Sequence, residues 1–405
     1  MQDKYESTIE WLFQQFPSYQ FKGASAYKPG LENTIALLQS YGNPQEKLKF
    51  IHVAGTNGKG STCSFLTSLL VEKGEKVGLF TSPHVYDFRE RIRINGVEIS
   101  KQFVIDFCER IKTIHFDFAP SFFEITLAMA LCYFQEENCS IVVLETGLGG
   151  RLDATNVVTP LISIITNIGI DHTQFLGDTL EAIAFEKAGI IKENIPVVIG
   201  QRQIETTPIF EKVAEAKNAP LHFAEDIKLP LKIELQGYQA KNLKNALVGL
   251  SLLSYPISQN DLDNAIRNLK KNSRLFGRME KLQDNPTIIL DVSHNKEGIE
   301  ATLNSLHLSD KTKLTILFGA SQDKDIDAMI ELFPKNAEIH LCTFQNERSQ
   351  SIERLNEIKE KNSSVLAVHQ DVNLAISVLS EQMLPTDLLL VIGSFFLISD
   401  VKMNK

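Results

Sequence analysis

Residues 50–73 read FIHVAGTNGKGSTCSFLTSLLVEK. An apolar run, Phe50–Ala54, leads into a glycine-rich turn and then into an amphipathic stretch, Cys63–Lys73, which we predict to be a helix. Glycines at such a turn let backbone N–H groups approach a phosphate, and the helix N-terminus adds partial positive charge. The sequence therefore predicts a nucleotide-binding phosphate loop on an α/β fold.

The loop is a variant of the common pattern G-x-x-x-x-G-K-[ST]. Val53 stands where that pattern has its first glycine, and Gly60 follows Lys59, so the loop fits G-T-x-G-K-x-[ST]. Lys59 is expected to reach the β- and γ-phosphates of ATP, while a following hydroxyl assists Mg²⁺. A glycine-rich turn without a ligand is the alternative, but strand, loop, lysine and helix coincide as ATP binding requires. The predicted ATP-binding residues of the loop are Gly55, Thr56, Asn57, Gly58, Lys59, Gly60 and Ser61.

The 405-residue chain is acidic, with a formal net charge of -9, and 43% of its residues are hydrophobic. This composition predicts a globular core and excludes a general binder of nucleic acid or anionic membranes. The N-terminus lacks a signal-peptide pattern, and the longest uncharged apolar stretch, Leu388–Ser399, is too short to span a bilayer. Five scattered cysteines without a C-x-x-C pair indicate free thiols and no zinc cluster. We therefore expect a cytoplasmic enzyme with small-molecule partners.

Short apolar runs alternate with longer stretches, which predicts parallel sheets covered by helices. Predicted strands of a first domain are Phe50–Ala54, Lys76–Phe80, Ile141–Glu145, Leu161–Thr166 and Pro196–Gly200. Those of a second are Thr287–Asp291, Leu314–Phe318, Glu338–Cys342, Val365–Val368 and Leu388–Gly393. Helices are predicted over Gln239–Leu253 and Asp261–Lys270, followed by a basic, polar linker within Lys270–Met279.

The expected fold class is α/β, in two domains of unequal size. The N-terminal domain, residues 1–273, has a P-loop-type, mostly parallel sheet flanked by helices. Residues 274–279 form the linker, and residues 280–405 form a smaller, Rossmann-like α/β domain of normal domain size.

An ordered series of motifs accompanies the loop along nearly the whole chain. It comprises TSPH at 81–84, ETGLGGRLDATN at 145–156, DH at 171–172, EKAGIIK at 186–192, GRME at 277–280 and DVSHN at 291–295. Together with the loop, this series resembles the Mur ligase superfamily of ATP-dependent amide-bond ligases. It is most similar to the branch of folylpolyglutamate synthases and dihydrofolate synthases. One departure is Lys296, where the family commonly has proline after His-Asn.

The resemblance implies that ATP activates a carboxylate as an acyl phosphate, from which an amine displaces phosphate. It implies glutamate addition to dihydropteroate, to tetrahydrofolate (poly)glutamates, or to both, and we favour both. Two Mg²⁺ ions are implied, with Ser82, Glu145, His172 and a carbamylated Lys187 as their ligands. Without the resemblance, Glu145 would be a solvated strand-end charge, His172 a core or surface histidine, and Lys187 a solvated helix lysine.

The resemblance also assigns the remaining site residues. Lys59, Lys187, Asp291 and His294 are the expected catalytic residues. Gln239, Asn242, Arg278 and Asp291 are expected to contact ATP, and Phe123, Asp153 and Ala154 the pterin ring. An aromatic face stacks on a flat heterocycle, and a carboxylate accepts hydrogen bonds from its N–H groups. Taken alone, each is a turn, cap or core residue, and Asn295 would fit a turn well.

Two alternatives stay open on the sequence. A Mur-type ligase of peptidoglycan precursors usually has an additional N-terminal domain, and the roughly 50 residues before the loop are too few for one. A P-loop module that binds ATP without ligase chemistry would not need Glu145, His172, Lys187, Asp291 and His294. The resemblance also implies a monomer.

Overall fold

The computed structural model describes residues 2–16, 30–309 and 312–402, which form two α/β units. The first unit contains the described residues up to Leu235 together with Gln239–Leu275. The second contains Phe276 onward and also a short upstream segment, Gln236–Tyr238. None of the helices in the described ranges is long and apolar enough to cross a bilayer.

The sheet of the first unit has the order β4-β3-β2-β5-β1-β6-β7-β8. Strands β2, β5, β1, β6, β7 and β8 run parallel, whereas β3 and β4 are antiparallel to their neighbours. The bounds are β1 Phe50–Ala54, β2 Val77–Phe80, β3 Ile92–Ile94, β4 Val97–Glu98, β5 Ile141–Glu145, β6 Ile162–Ile165, β7 Val197–Ile199 and β8 Leu221–Phe223. The strands β1, β2, β5, β6 and β7 are buried throughout, as expected where helices cover both faces of a sheet.

Helices pack on both faces of this sheet and close separate hydrophobic clusters. Side chains cap several of them, as where Ser121 and Glu124 form a reciprocal capping box at the start of α5. The bounds are α1 Gln2–Gln15, α2 Glu32–Ser40, α3 Lys59–Glu72, α4 Lys101–Thr113, α5 Phe122–Glu136, α6 Thr173–Leu176, α7 Leu180–Ala188, α8 Thr207–Ala216, α9 Gly237–Leu252, α10 Gln259–Arg267 and α11 Leu269–Ser273. Short 3₁₀ turns occur at Pro44–Lys47, Phe88–Arg91 and Ala154–Val157.

Helix α3, which follows the phosphate loop, is not amphipathic. Every residue from Ser61 to Leu70 is buried, because the helix lies between the sheet and the pair α10 and α11. A helix covered on all sides has no polar face. The prediction of a helix is confirmed, and the prediction of its amphipathic character is wrong.

The predicted linker within Lys270–Met279 is wrong for its first residues, which form the end of α11. Asn272 is buried and its Nδ2 donates to Ser68 Oγ at 3.2 Å and to Glu72 Oε1 at 2.8 Å. These contacts fix the segment on α3. The single helix predicted over Asp261–Lys270 is also divided, because the chain leaves helical geometry at Asn268.

The sheet of the second unit has the order β13-β12-β11-β14-β10-β9, parallel except for the antiparallel edge strand β9. The strands are β9 Glu280–Asp284, β10 Thr287–Asp291, β11 Leu314–Phe318, β12 Glu338–Cys342, β13 Val365–His369 and β14 Leu388–Ile392. The helices are α12 Lys296–Leu303, α13 Ile326–Ile330, α14 Ile352–Lys361, α15 Val372–Gln382 and α16 Phe395–Ser399.

Candidate active site

The phosphate loop, residues 55–61, joins β1 to α3 through two glycines with positive φ. Gly55 has φ +148°, and a Cβ added there would lie 1.9 Å from Thr166 Oγ1. Gly58 has φ +83°, and a Cβ there would lie 2.2 Å from Asn242 Oδ1. Only glycine fits both the conformation and the space, so the loop is shaped by its packing as well as by any ligand.

Residues at the carboxyl end of β6 form hydrogen bonds with the phosphate loop. Thr56 N donates to Asn167 O and Asn57 N donates to Asn167 Oδ1, both at 2.9 Å. Thr166 Oγ1 donates to Asn57 O at 2.6 Å. Sequence reasoning gave Thr166 and Asn167 no role, although their position at the carboxyl end of the predicted strand Leu161–Thr166 was a usable signal.

Two lysines converge on one loop carbonyl. Lys59 Nζ donates to Gly55 O at 3.0 Å and to Thr56 O at 3.2 Å, and Lys187 Nζ donates to Gly55 O at 2.9 Å. Lys187 lies in the last turn of α7 and is only 4% exposed, so its interpretation as a solvated helix lysine is wrong. Burial, and then the nearby charge of Lys59, lowers the pKa of Lys187 to about 7. A substantial share of this amine is therefore neutral and nucleophilic at neutral pH.

A buried carboxylate lies at the end of β5, next to the start of α3. Glu145 is 3% exposed, and its Oε2 accepts a hydrogen bond from Ser82 N at 2.9 Å. A Cβ added to Gly60 would lie 3.7 Å from Glu145 Oε1. The interpretation of Glu145 as a solvated strand-end charge is therefore wrong.

His172 is the N-cap residue of α6 and has a left-handed conformation, with φ 51°. Its backbone N donates to Asp171 Oδ1 at 2.9 Å, and its Nε2 lies 3.8 Å from Asp171 Oδ2. Asp171 is buried and its charge acts on Lys187, opposing the fall in the pKa of that lysine. Sequence reasoning had Asp171 within a motif but gave it no role.

These side chains fit a magnesium site that the substrate completes. In the ranges covered by the structure, no three or more His, Cys, Asp and Glu side chains form a ready metal cluster. Magnesium is usually bound through one or two carboxylates, with substrate phosphates and water as its other ligands. The adjoining Ser82 and Glu145 supply a donor set of that kind beside the loop.

Three buried polar atoms near the loop lack a hydrogen-bond partner in the described chain: Ser61 Oγ, Thr62 Oγ1 and Asn242 Nδ2. An unpaired buried polar group costs about 1–3 kcal/mol, so a ligand that pairs with these atoms would offset that penalty. Ser61 and Asn242 were predicted to bind ATP, whereas Thr62 was not predicted. Gln239 lies half-buried in the first turn of α9.

The predicted pterin residues lie around the turn after β5. Phe123 is half-buried and packs edge-on against Phe80, with ring centroids 5.6 Å apart. Its ring lies close to Gly147, because a Cβ added to that glycine would be 2.7 Å from Phe123 Cζ. Asp153 is buried and its Oδ2 accepts from the backbone N–H of Gly147 at 2.9 Å and of Leu148 at 2.8 Å. Burial raises the pKa of Asp153, and the hydrogen bonds it accepts oppose that rise. Ala154 follows and is buried.

In the second unit, Asp291 ends β10 and is fully buried. Its Oδ2 accepts from Tyr238 Oη at 2.6 Å and Met279 N at 2.9 Å, and its Oδ1 accepts from Ser293 N at 2.9 Å and Ser293 Oγ at 2.6 Å. Sequence reasoning missed Tyr238 and Ser293. These four hydrogen bonds fix the carboxylate.

Arg278 and His294 lie around one aromatic ring of the second unit, that of Phe395. The guanidinium carbon of Arg278 is 5.2 Å from the ring centroid, and the His294 ring centroid is 5.8 Å away. His294 Nδ1 donates to Val292 O at 2.9 Å. Asn295 caps α12 by accepting from Gly298 N, in line with its simple interpretation as a turn residue.

Two family models match the chain. The Mur ligase middle domain matches residues 53–253, and the Mur ligase, glutamate ligase domain matches residues 277–395. A dihydrofolate synthase/folylpolyglutamate synthase of Bacillus subtilis (strain 168) is 34% identical over 411 residues, which cover 93% of this chain and 94% of the relative.

Solved structures resemble the chain over nearly its full length. A folylpolyglutamate synthase from Thermotoga maritima has a TM-score of 0.80 and 33% identity, covering 98% of this chain and 95% of that one. A bifunctional folylpolyglutamate synthase/dihydrofolate synthase from Yersinia pestis, complexed with AMPPNP and a Mn ion, has a TM-score of 0.82 and 29% identity, covering 97% and 96%.

Proposed function

Because the chain belongs to the folylpolyglutamate synthase/dihydrofolate synthase family of Mur ligases and is therefore an ATP-dependent ligase, we propose that it adds L-glutamate to folate-type carboxylates. The acceptors are dihydropteroate and the γ-carboxylate of tetrahydrofolate (poly)glutamates. A carboxylate oxygen attacks the γ-phosphorus of ATP and ADP leaves. The glutamate amine then attacks the acyl carbon, phosphate departs with that oxygen, and the nitrogen loses a proton.

The observation that carries this proposal is the convergence of Lys59 and unpaired polar atoms on the phosphate loop. Lys59 Nζ contacts Gly55 O and Thr56 O, while Ser61 Oγ and Asn242 Nδ2 are buried without a partner in the described part of the chain. Such a concentration of donors suits a polyanionic ligand. Phosphoryl transfer depends mainly on positioning and charge neutralisation, which these groups supply.

The ATP-binding set that we propose follows the motifs of the sequence. It comprises Gly55, Thr56, Asn57, Gly58, Lys59, Gly60, Ser61, Gln239, Asn242, Arg278 and Asp291. Lys59 neutralises the transferred phosphoryl group. Asp291 and His294 are proposed as catalytic residues, with Asp291 held by four hydrogen bonds.

Ser82, Glu145 and His172 are proposed to hold Mg²⁺, in two sites that share the neighbourhood of the loop. A bound divalent ion supplies charge neutralisation and orientation of the phosphates.

Lys187 is proposed to be carbamylated: its neutral amine attacks carbon dioxide, a C–N bond forms and a proton is lost. The buried position and lowered pKa of Lys187 support this step. Incubation with isotope-labelled bicarbonate should give a carbamate NMR signal that Lys187→Met lacks.

Phe123, Asp153 and Ala154 are proposed to form the pterin pocket. Phe123 offers a half-buried aromatic ring, and Asp153 contacts the same turn through its hydrogen bonds with Gly147 and Leu148.

We further propose a monomeric, cytoplasmic enzyme whose partners are small molecules and not nucleic acid or membrane. The net charge of -9 supports the exclusion of nucleic acid and anionic membranes.

Phosphate release from ATP tests the proposed function directly. We expect release that requires L-glutamate together with dihydropteroate or a tetrahydrofolate, and a product heavier by one glutamyl residue. Lys59→Met should abolish it, while Lys73→Met, a surface lysine that pairs with Asp261 at 3.2 Å, should not. Absence of release with both acceptors would overturn the proposal, and release with one acceptor would restrict it to that activity.

A further inference from the structure

We propose that His52 and Thr155 are positioning residues that fix the carboxylate of Asp153 and thereby set the affinity for the acyl substrate. Nothing in the loop or metal chemistry involves these two residues. The inference rests on the proposed function, because it assigns their effect to the pterin pocket around Asp153. Its evidence is a chain of hydrogen bonds that runs from the centre of the first sheet to that pocket.

The direction of these hydrogen bonds follows from the groups involved. Thr155 Oγ1 has one proton, and it forms a short hydrogen bond with Asp153 Oδ1. An ionised carboxylate only accepts, so the threonine hydroxyl donates its proton there. His52 Nε2 lies 2.8 Å from the same Thr155 oxygen, and must therefore be the donor. His52 therefore carries a proton on Nε2.

His52 lies at the buried end of this series of hydrogen bonds. It is fully buried in β1, with Leu144 of β5 and Ser163 of β6 as its Cα partners on either side. Its Nδ1 lacks a hydrogen-bond partner in the described chain, so Nε2 carries the polar contact of the ring. The ring does not reach solvent or reacting atoms, and it acts through Thr155.

At its other end, this series of hydrogen bonds reaches the turn after β5, which lies against the Phe123 ring. Asp153 Oδ1 also accepts from Thr155 N at 3.0 Å, and Oδ2 accepts from Gly147 N and Leu148 N. Gly147 in turn lies in close contact with the Phe123 ring. A rotation of the Asp153 carboxylate would therefore move both the predicted hydrogen-bonding group and the backbone beside the predicted stacking ring.

Isosteric substitution of Thr155 tests the inference. Thr155→Val removes the hydroxyl but keeps the shape, and should raise the KM for dihydropteroate by about tenfold while the KM for ATP stays unchanged. Thr155→Ser restores the hydroxyl and should restore the KM. The matched control is Thr126→Val, which removes a buried hydroxyl whose one hydrogen-bond partner among the described residues is Phe122 O; it should leave both constants unchanged.

Substitution of His52 is the second arm, and it leaves the bond between Thr155 and Asp153 in place. His52→Leu should raise the KM for dihydropteroate less than Thr155→Val does, while His52→Gln, which keeps an N–H, should stay within about twofold of the wild type. Equal KM values for Thr155→Val and Thr155→Ser in an active enzyme would overturn the inference alone. A rise in the KM for ATP by the same factor would also overturn it, and a wild-type enzyme without activity would overturn the proposed function with it.

Discussion

Lys187 and Glu145 differ most from what their sequence context indicates. Each follows an apolar stretch and looks like a charge at the solvated end of an element, yet each is nearly inaccessible. Burial arises from tertiary contact with the phosphate loop and the turn at Ser82, which spacing along the chain does not reveal. Asn295 is the reverse case, because capping depends on local backbone geometry and was predictable.

At the residue scale, His52 should make the protein sensitive to acid. Burial lowers its pKa from 6.5 to about 3, so between these values the unfolded chain binds more protons than the folded one. The stability is therefore complete above pH 6.5 and declines as the pH falls towards 3. From pH 7 to 5 this histidine should account for a loss of about 2 kcal/mol.

The variant His52→Gln does not titrate in this range and should lose about 2 kcal/mol less between pH 7 and 5. Urea unfolding of both proteins at the two pH values measures this difference. The exposed His115 provides the control, because His115→Gln should follow the wild type. Equal losses for His52→Gln and wild type would contradict the assignment.

Asn242 offers a simple test of the proposed ATP site. Its buried Nδ2 has no hydrogen-bond partner in the described chain, and its Oδ1 lies against Gly58. Asn242→Ala should raise the KM for ATP by about tenfold, because the ligand loses one buried hydrogen bond. Asn245→Ala, a buried change on the same helix beside Gly200, should leave it unchanged. Steady-state kinetics decide, and an unchanged KM for Asn242→Ala would contradict the account.

At the element scale, strands were predictable and their less regular neighbours were not. The ten predicted strands are all present, because buried parallel strands are continuous apolar runs bounded by turns. The strands β3, β4, β8 and β9 were missed, since they are short or carry polar residues at the edges of the sheets. The helical end of α11 was missed because its fixing contacts come from distant residues of α3.

Two glycines that flank α3 have nearly the same backbone conformation and can be compared by substitution. Gly58 at its start has φ +83° and Gly74 beyond its end has φ +84°, but only Gly58 faces an obstacle, the side chain of Asn242. Either substitution by alanine should cost about 1 kcal/mol of stability from backbone strain. Gly58→Ala should also displace the loop and lower kcat at least about a hundredfold.

Gly74→Ala has open space around the added methyl group and should keep normal kcat. Denaturation and steady-state assays on the two variants separate backbone strain from loop displacement. Equal activities would contradict the assignment of the loop as the phosphate site.

At the scale of the whole molecule, the order of the motifs identified the family and the two-unit α/β architecture, and both are confirmed. Sequence reasoning could not foresee that Gln236–Tyr238 belongs to the second unit, because a hydroxyl contact between Tyr238 and Asp291 is not a sequence pattern. The net charge of -9 also requires a local positive site for anionic substrates, to which Lys59 beside the loop contributes.

In the proposed reaction, ATP activates a folate-type carboxylate for attack by glutamate. The most direct test uses dihydropteroate labelled with a heavy oxygen isotope in its carboxylate, with ATP, Mg²⁺ and L-glutamate. An acyl phosphate transfers one labelled oxygen to the phosphate that leaves, so mass spectrometry should find one label in each phosphate released. Turnover that gives unlabelled phosphate would contradict the claim, since the carboxylate would then not have been phosphorylated.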